Sequence, residues 1–423
     1  MDDLRSILEE MPVFDVHEHH MPEILADRSV GLLALLSQSY AGWTQARPYP
    51  LPSELQSPKA APEDPMFADM EMGRWEDVAR FVEQSGSSMF VRNMVGALSE
   101  LYGLGDEGIT AENWRTLDAK IRRCKSDPSW HSEVLDRAGI RRIITDPFSN
   151  PLPDVRPELG DRYQSVLRIN ALAFGWHPDS RDHNGNSAHE FAQQLGHRLN
   201  NFDDYLTMLE LLLDTLGERH QVGLKNALAY DRSVNFDDID VRLARQAWGQ
   251  PCPSKSQRKA FGDVVVNRLC QLAGERNIPV QMHLGSALIR GSHPLGAAGL
   301  IERHPNTRFL LMHLAYPWSR ELLGLAFVYR NIWLDLSWSA LLGPTQFKQT
   351  LHEAIEILPD ESRLMIGGDN WHAEETYGAI QLFRKLIGEV LQEKVANRYF
   401  AENDAKRLAR KILYENAAAF FGE

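Results

Sequence analysis

Cysteine is scarce: three residues, Cys124, Cys252 and Cys270, occur in a chain of 423. Their spacing fits no metal knot or redox pair, so no disulfide framework is expected and a reducing compartment is. Positive charge is also short. The 45 Lys and Arg against 58 Asp and Glu give a formal net charge of -13, which disfavours nucleic acid and anionic membrane as partners. No run approaches the roughly 18 apolar residues that span a bilayer. Met1 to Glu10, carrying Asp2, Asp3, Glu9 and Glu10, has no apolar centre and cannot be a secretory signal. The expected location is the cytoplasm, and the expected partners are a small-molecule substrate and further copies of the chain in a homo-oligomer. Several catalytic signatures are missing as well. There is no G-x-S-x-G elbow, and neither His189-Glu190 nor His352-Glu353 has the later histidine of the metalloprotease helix H-E-x-x-H. The basic run Ser254 to Lys259 reads as a solvated loop and helix start.

What is present is the material of a large core: 43% hydrophobic and 24% charged residues, the profile of a soluble globular protein. The length suggests two or three domains, although a barrel with insertions can fill it as one. The chain is organised around Phe14-Asp15-Val16-His17-Glu18-His19-His20. In an extended strand side chains alternate, which puts Asp15, His17 and His19 on one face and Phe14, Val16 and Glu18 on the other. Two imidazoles one strand repeat apart are well placed for one metal ion. An isolated H-x-H is as readily two polar residues at a strand end, so partners elsewhere decide.

After His20 the texture changes. Ser29 to Trp43 is apolar at helical spacing, Arg47 to Pro65 is proline-rich and irregular, and helical patterns return at Arg74 to Glu83, Met89 to Leu101 and Thr110 to Cys124. Thr110 is the expected cap of the last of these. Residues 21–131 thus read as a mainly helical insertion, with residues 1–20 and 132–423 forming the main domain.

From Val134 short apolar runs alternate with helical ones. The strand candidates are Val13 to His19, Arg141 to Asp146, Gln164 to Asn170, Gln221 to Lys225, Pro279 to His283, Arg308 to His313, Ile332 to Ser337 and Leu364 to Asp369. Helical segments follow most of them: Ala188 to Gly217, Asp263 to Asn277, Leu295 to His304, Arg320 to Tyr329 and Pro344 to Leu358. Eight such units predict an α/β fold, a (β/α)8 TIM barrel. A doubly wound sheet alternates similarly, but no strand is followed by a Gly-rich phosphate loop. The tail, Tyr377 to Gly388 and Asp404 to Phe421, is expected to be helical and to pack on the outside.

In such a barrel all strands deliver their C-terminal ends to one face. His17 and His19, Lys225, His283, His313 and Asp369 close the first, fourth, fifth, sixth and eighth strand candidates, so they are expected to converge. In that order these residues resemble the metal-dependent amidohydrolase superfamily, whose fold is a distorted (β/α)8 barrel. Gly223-Leu224-Lys225, Val280-Gln281-Met282-His283, and Leu101-Tyr102-Gly103 followed by Thr110 to Trp114 resemble the amidohydrolase-related branch that includes nodulin and glutamine-synthetase-associated domains. Ile144-Thr145-Asp146-Pro147, the insertion after the first strand, and Tyr414-Glu415-Asn416-Ala417 are similar to uronate isomerases.

The resemblance implies a divalent cation, zinc or alternatively manganese, one or two per chain. His17, His19 and Asp369 would hold it, with His283 completing the set in a single-metal site. Asp369 would also pass a proton from the attacking water to the leaving group. His313 would be a ligand of a second metal, or a base or electrophile beside a single one. Lys225 would bridge two cations if carboxylated, and as a free ammonium would pair with an anionic substrate group. Around the mouth, Arg168 suits a substrate carboxylate or a structural ion pair equally. Tyr230, Arg232, Trp338, Trp371 and His372 are further candidates for lining it. Asp15 is read as a hydrogen-bonding core residue, Glu18 as facing the barrel exterior and His20 as the start of a loop.

Three functions are expected in turn. The first is a metal-dependent hydrolase acting on a small amide, lactone or related ester. The second is a non-oxidative decarboxylase or uronate-isomerase-like enzyme on the same barrel. Against a true uronate isomerase, Asp369 is followed here by Asn370 and Trp371, whereas that family has a different sequence there, with an arginine for the substrate carboxylate. The third is a non-catalytic metal-binding barrel.

Overall fold

Short runs of Val, Ile and Leu that are apolar on both faces are the signature of parallel strands covered on both sides. The computed structural model describes residues 2–45 and 74–422, and it contains eight such strands. They are β1 Val13–Glu18, β2 Ile140–Thr145, β3 Tyr163–Arg168, β4 Gln221–Asn226, β5 Val280–Met282, β6 Phe309–Leu311, β7 Ile332–Asp335 and β8 Leu364–Met365. Each pairs in parallel with the next in sequence. Three backbone bonds join the last strand region to the first: Val16 N–H to the Ile366 carbonyl at 3.0 Å, Asp369 N–H to His17 at 2.8 Å and His19 N–H to Asn370 at 2.8 Å. The sheet is therefore a nearly closed (β/α)8 barrel.

Closure requires Gly367 and Gly368. A Cβ on Gly368 would stand 2.1 Å from Glu18 Oε1, and one on Gly367 would stand 2.8 Å from the His17 amide nitrogen. The seam has no room for a side chain at either place.

Inside the barrel Phe14, Val16, Ile144, Val166, Leu310 and Met365 form an inner cluster with Ala417 and Phe420. The tail does not simply lie on the outside as its amphipathic pattern suggested. Tyr414 and Phe421 each approach the Phe14 ring to 5.9 Å and Phe420 approaches Trp333 to 5.1 Å, so the last helix closes the barrel floor. An amphipathic stripe states that one face is buried and leaves open against what.

The strict alternation expected for β1 fails at its end. Phe14 and Val16 point into the inner cluster, and a register shift against β2 falls between Asp15 and Glu18. Glu18 is completely buried, with Oε2 accepting the Asn370 N–H at 2.6 Å, as a residue on the helix-covered outer face can be. Asp15 has the hydrogen-bonding role, accepting from the amides of His17 at 3.1 Å and Gly368 at 3.2 Å. A bulge adds a residue to one strand and resets the faces beyond it.

Most helices fall where the periodicity placed them. Ala188 to Gly217 is two helices, Ala188–Gln194 and Phe202–Asp214, the second capped by the Asn201 side chain. Ser29 to Trp43 likewise divides, into Leu32–Ser37 and a short tight helix Tyr40–Thr44. Thr110 Oγ1 accepts the Glu112 and Asn113 amides, but the helix proper starts at Trp114. The Arg47 to Pro65 stretch lies outside the described residues. Leu32, Leu36, Met94, Leu98, Leu117 and Ile121 of the insertion belong to the same apolar core that covers the outside of the barrel. Among the described residues no helix is long and apolar enough to cross a membrane.

Candidate metal centre

At the C-terminal end of the barrel the tips of β1, β4 to β6 and β8 converge. His17, His19 and Asp369 offer one ligand atom each, all within 4.8 Å of one another. Asp369 Oδ1 is 3.2 Å from His19 Nε2 and 3.5 Å from His17 Nε2, yet among the described residues no donor meets it in hydrogen-bonding geometry. A buried carboxylate oxygen left unsatisfied between two imidazole nitrogens is costly as it stands and well suited to a divalent cation. Asp369 adopts a left-handed backbone with φ of 63°, an uncommon state for a residue other than glycine.

Protonation favours ligation. Burial drives the His17 imidazole well below its usual pKa, and Lys225 and His19 add to this, so His17 is neutral near pH 7 and its Nε2 lone pair, which faces Lys225 Nζ and Asp369, is the atom that would ligate. His19 Nδ1 lies 3.2 Å from the Asp146 carbonyl oxygen, which can only accept, so Nδ1 carries the proton and Nε2 is left open toward Asp369. Burial pushes the Asp369 carboxyl up, but the opposing pull of His313, His19 and Lys225 leaves it below the usual range.

Next to this group stand the other strand-tip residues. His313 Nδ1 is 3.5 Å from Asp369 Oδ2 and 3.1 Å from the Ser337 carbonyl oxygen, and its Nε2 is 3.0 Å from His283 Nδ1. Burial takes His313 down to about 4. His283 touches the constellation through His313 and carries the Tyr230 ring at 4.5 Å. Lys225 Nζ lies 3.2 Å from His17 Nε2 and 2.7 Å from Met312 Sδ. Burial lowers the lysine to about 8 although Asp146 and Asp369 pull it upward.

The rim is divided. Arg168 forks onto Asp146, with Nε 3.1 Å from both carboxylate oxygens and Nη2 at 2.5 Å, while Nη1 donates to Asn184 at 2.8 Å. Arg232 is seated elsewhere: it bonds Asp263 on the Lys255–Glu275 helix and lies over Phe236. The tight turn Leu228–Tyr230 carries it away from the mouth. Trp371 stacks on His19 with centroids 5.7 Å apart, and Trp338 meets His313 edge-on at 5.6 Å. His20 bonds Tyr163 and Thr376 and so is outside the group. His372 is buried and held down to about 3 by burial and then by Lys125.

The amidohydrolase family model matches residues 209–422, half of the chain, including Lys225, His283, His313 and Asp369. The chain belongs to the amidohydrolase family. It is 27% identical over 227 residues to protein fluG of Emericella nidulans, a match covering 49% of this chain and 26% of that protein. The chain therefore spans about a quarter of that relative's length. Its fold is shared with glucuronate isomerase from Caulobacter crescentus, at a TM-score of 0.74 and 15% identity over 99% of this chain and 93% of the other. Uronate isomerase from Thermotoga maritima gives a TM-score of 0.73 and 12% identity over 99% and 96% of the two chains.

Two polar residues of this amidohydrolase site had no clear sequence signal. Asp335 ends β7, inside the strand candidate Ile332 to Ser337. Burial raises it to about 7 against the bonds from the Ser337 hydroxyl and amide, close to Asp369 and Lys225. Glu375 is buried, accepts the Tyr40 amide at 2.8 Å and is pushed by burial to about 8. An acid at a strand tip was the available clue for Asp335; Glu375 lies within a helix and offered none.

Proposed function

We propose that this amidohydrolase is a metal-dependent hydrolase of a small amide, lactone or related ester, with His17, His19 and Asp369 holding the cation. The observation that carries this reading is the unsatisfied, buried Asp369 oxygen between two imidazole nitrogens. A divalent ion held there, zinc or manganese, supplies Lewis acidity and makes its bound water acidic, with a pKa of about 7 for zinc.

The chain's own residues supply the proton path. Asp369 takes a proton from the attacking water and returns it to the departing nitrogen or oxygen, so the water oxygen ends on the carbonyl carbon and the leaving group departs protonated. His313, neutral and held by Ser337, steadies the Asp369 carboxylate through Oδ2. His283 braces His313 and would join the ligand set of a single ion. Buried site walls keep bulk water from the proton in transit, since His17, Lys225, His283, His313 and Asp369 are each no more than 3% exposed.

Lys225 chooses between one ion and two. With its pKa lowered to about 8, roughly a tenth of it is neutral near pH 7, far more than for an ordinary lysine, and a neutral amine adds carbon dioxide to give a carbamate and a released proton. Carboxylated, Lys225 would help hold two cations, with His313 in the ligand set of the second. Unmodified, its contact with His17 supports the second reading, a decarboxylase or uronate-isomerase-like enzyme on one ion.

Elemental analysis and intact mass of protein purified without chelators test this. One or two transition-metal ions per chain are expected, with a mass gain at Lys225 in the two-ion form. His17→Ala and Asp369→Asn should each lose metal and at least about 10³-fold in turnover of a lactone and amide panel, with far-UV circular dichroism unchanged. Metal-free wild-type protein would overturn the reading.

A further inference from the structure

Above the candidate ligands lies a layer of rings. Tyr40 of the insertion sits 4.6 Å from Trp371, 5.0 Å from Trp338 and 5.4 Å from Phe90, and Trp43 is 5.7 Å from Trp338. The layer reaches the site itself: His19 is sandwiched by Trp371 at 5.7 Å and Phe148 at 5.3 Å, and His313 meets Trp338. Three separate stretches of chain therefore place aromatic rings against two site imidazoles, Trp371 stacked and Phe148 and Trp338 edge-on.

Two donors in this layer are unsatisfied. Among the described residues the indole N–H groups of Trp338 and Trp371 are buried without a hydrogen-bond partner, in residues 1% and 7% exposed. Buried tryptophan usually finds an acceptor for that group. A pair of them left open beside the candidate centre is a binding feature awaiting an oxygen. The guanidinium at the mouth is spoken for, since Arg168 is forked onto Asp146 and tied to Asn184. The ring layer formed by Tyr40, Trp43, Phe90, Trp338 and Trp371 itself holds no cation, so a carboxylate lodged among those rings, rather than at Lys225 or the ligand group, would find only indole donors, and the hydroxyls of a sugar acid would find aromatic faces in place of partners.

We infer that the substrate carries a flat, uncharged aromatic group next to its scissile carbonyl, received by Tyr40, Trp338 and Trp371, with an indole N–H donating to one of its oxygens. This rests on the hydrolytic reading above and narrows its substrate class. The ring faces supply shape and offset or edge-on contacts, and the indole donors fix the orientation of the oxygen. Entry of such a group requires these rings to part, since Tyr40, Trp338 and Trp371 are 4%, 1% and 7% exposed.

The test uses the zinc-loaded full chain and four probes: phthalide, γ-butyrolactone, benzoate and D-glucuronate. Phthalide and γ-butyrolactone share a five-membered lactone and an alkoxide leaving group and differ by the fused benzene ring. Calorimetry is expected to give phthalide at least about tenfold tighter binding than each of the other three. Trp371→Leu should erase most of that preference, whereas Trp371→Phe, which retains a ring and loses the donor, should keep part of it; thermal melting checks that both fold. Tighter binding of glucuronate, benzoate or γ-butyrolactone, or no binding of any probe at millimolar concentration, would overturn the inference. Ring opening of phthalide is followed separately on the same sample. Phthalide that binds as expected but is never opened by metal-loaded protein leaves the aromatic class standing and removes the hydrolytic reading.

Discussion

Glu374 is a buried acid that shows how single residues tie this molecule together. Its carboxylate accepts from Lys125 at 2.8 Å, from the Tyr102 hydroxyl at 2.9 Å and from the Trp130 indole at 3.0 Å, joining two helices of the insertion and the helix behind it to the first turn of the helix Ala373–Ala396 that follows β8. Burial raises its pKa, but Lys125 and these bonds win and hold it at about 2, below the ordinary 4.5. A depressed folded pKa stabilises the fold fully above the unfolded value, and that contribution is lost as pH falls from about 4.5 through about 2. It amounts to about 3 kcal/mol on this shift. Glu374→Gln is expected to lower stability at pH 7 and to flatten its decline between about pH 5 and 2, read by urea unfolding across that range. Gly368 is the opposite case, a residue valued for having no side chain. Gly368→Ala forces a methyl against Glu18 and Asn370 at the barrel seam and should cost about 1–3 kcal/mol in the same assay.

The C-terminal helix is the element whose role the sequence stated least well. Asn416–Phe421 was legible as helix from its spacing, while its place under the barrel was not, because the partners Phe14, Val166 and Leu310 are contributed by strands hundreds of residues earlier. Phe420 is nearly buried there, against Trp333 and Arg308. Phe420→Ala should cost about 3–5 kcal/mol and lower the melting temperature. Metal content should be unchanged, since the floor and the candidate centre lie at opposite ends of the strands. Loss of metal without loss of stability would contradict that separation. The strand elements were legible for the converse reason: a parallel strand is apolar on both faces, so its whole signal is local.

For the molecule as a whole, a cation bound only by the folded state must stabilise it by mass action. Zinc at 100 times its dissociation constant adds about 2.7 kcal/mol, so the melting temperature should climb as zinc is titrated into chelator-stripped protein and fall on adding chelator. His17→Ala should remove that dependence. By itself the sequence determined the eight alternating units, the barrel and the strand-tip residues Lys225, His283, His313 and Asp369, because periodicity and position within a repeat are written locally. It also carried the family resemblance, since those residues keep their order along the chain. Only the tertiary structure decided which of them meet. It brought His19 and Asp369 to 3.2 Å of each other, bound Arg168 to Asp146, and sent Arg232 to Asp263. It also turned Phe14 and Val16 into the inner cluster and laid the insertion's aromatic rings over the site. Those outcomes depend on a bulge, a loop direction and competition among charges between segments far apart in sequence, and such distances are settled only when the barrel closes.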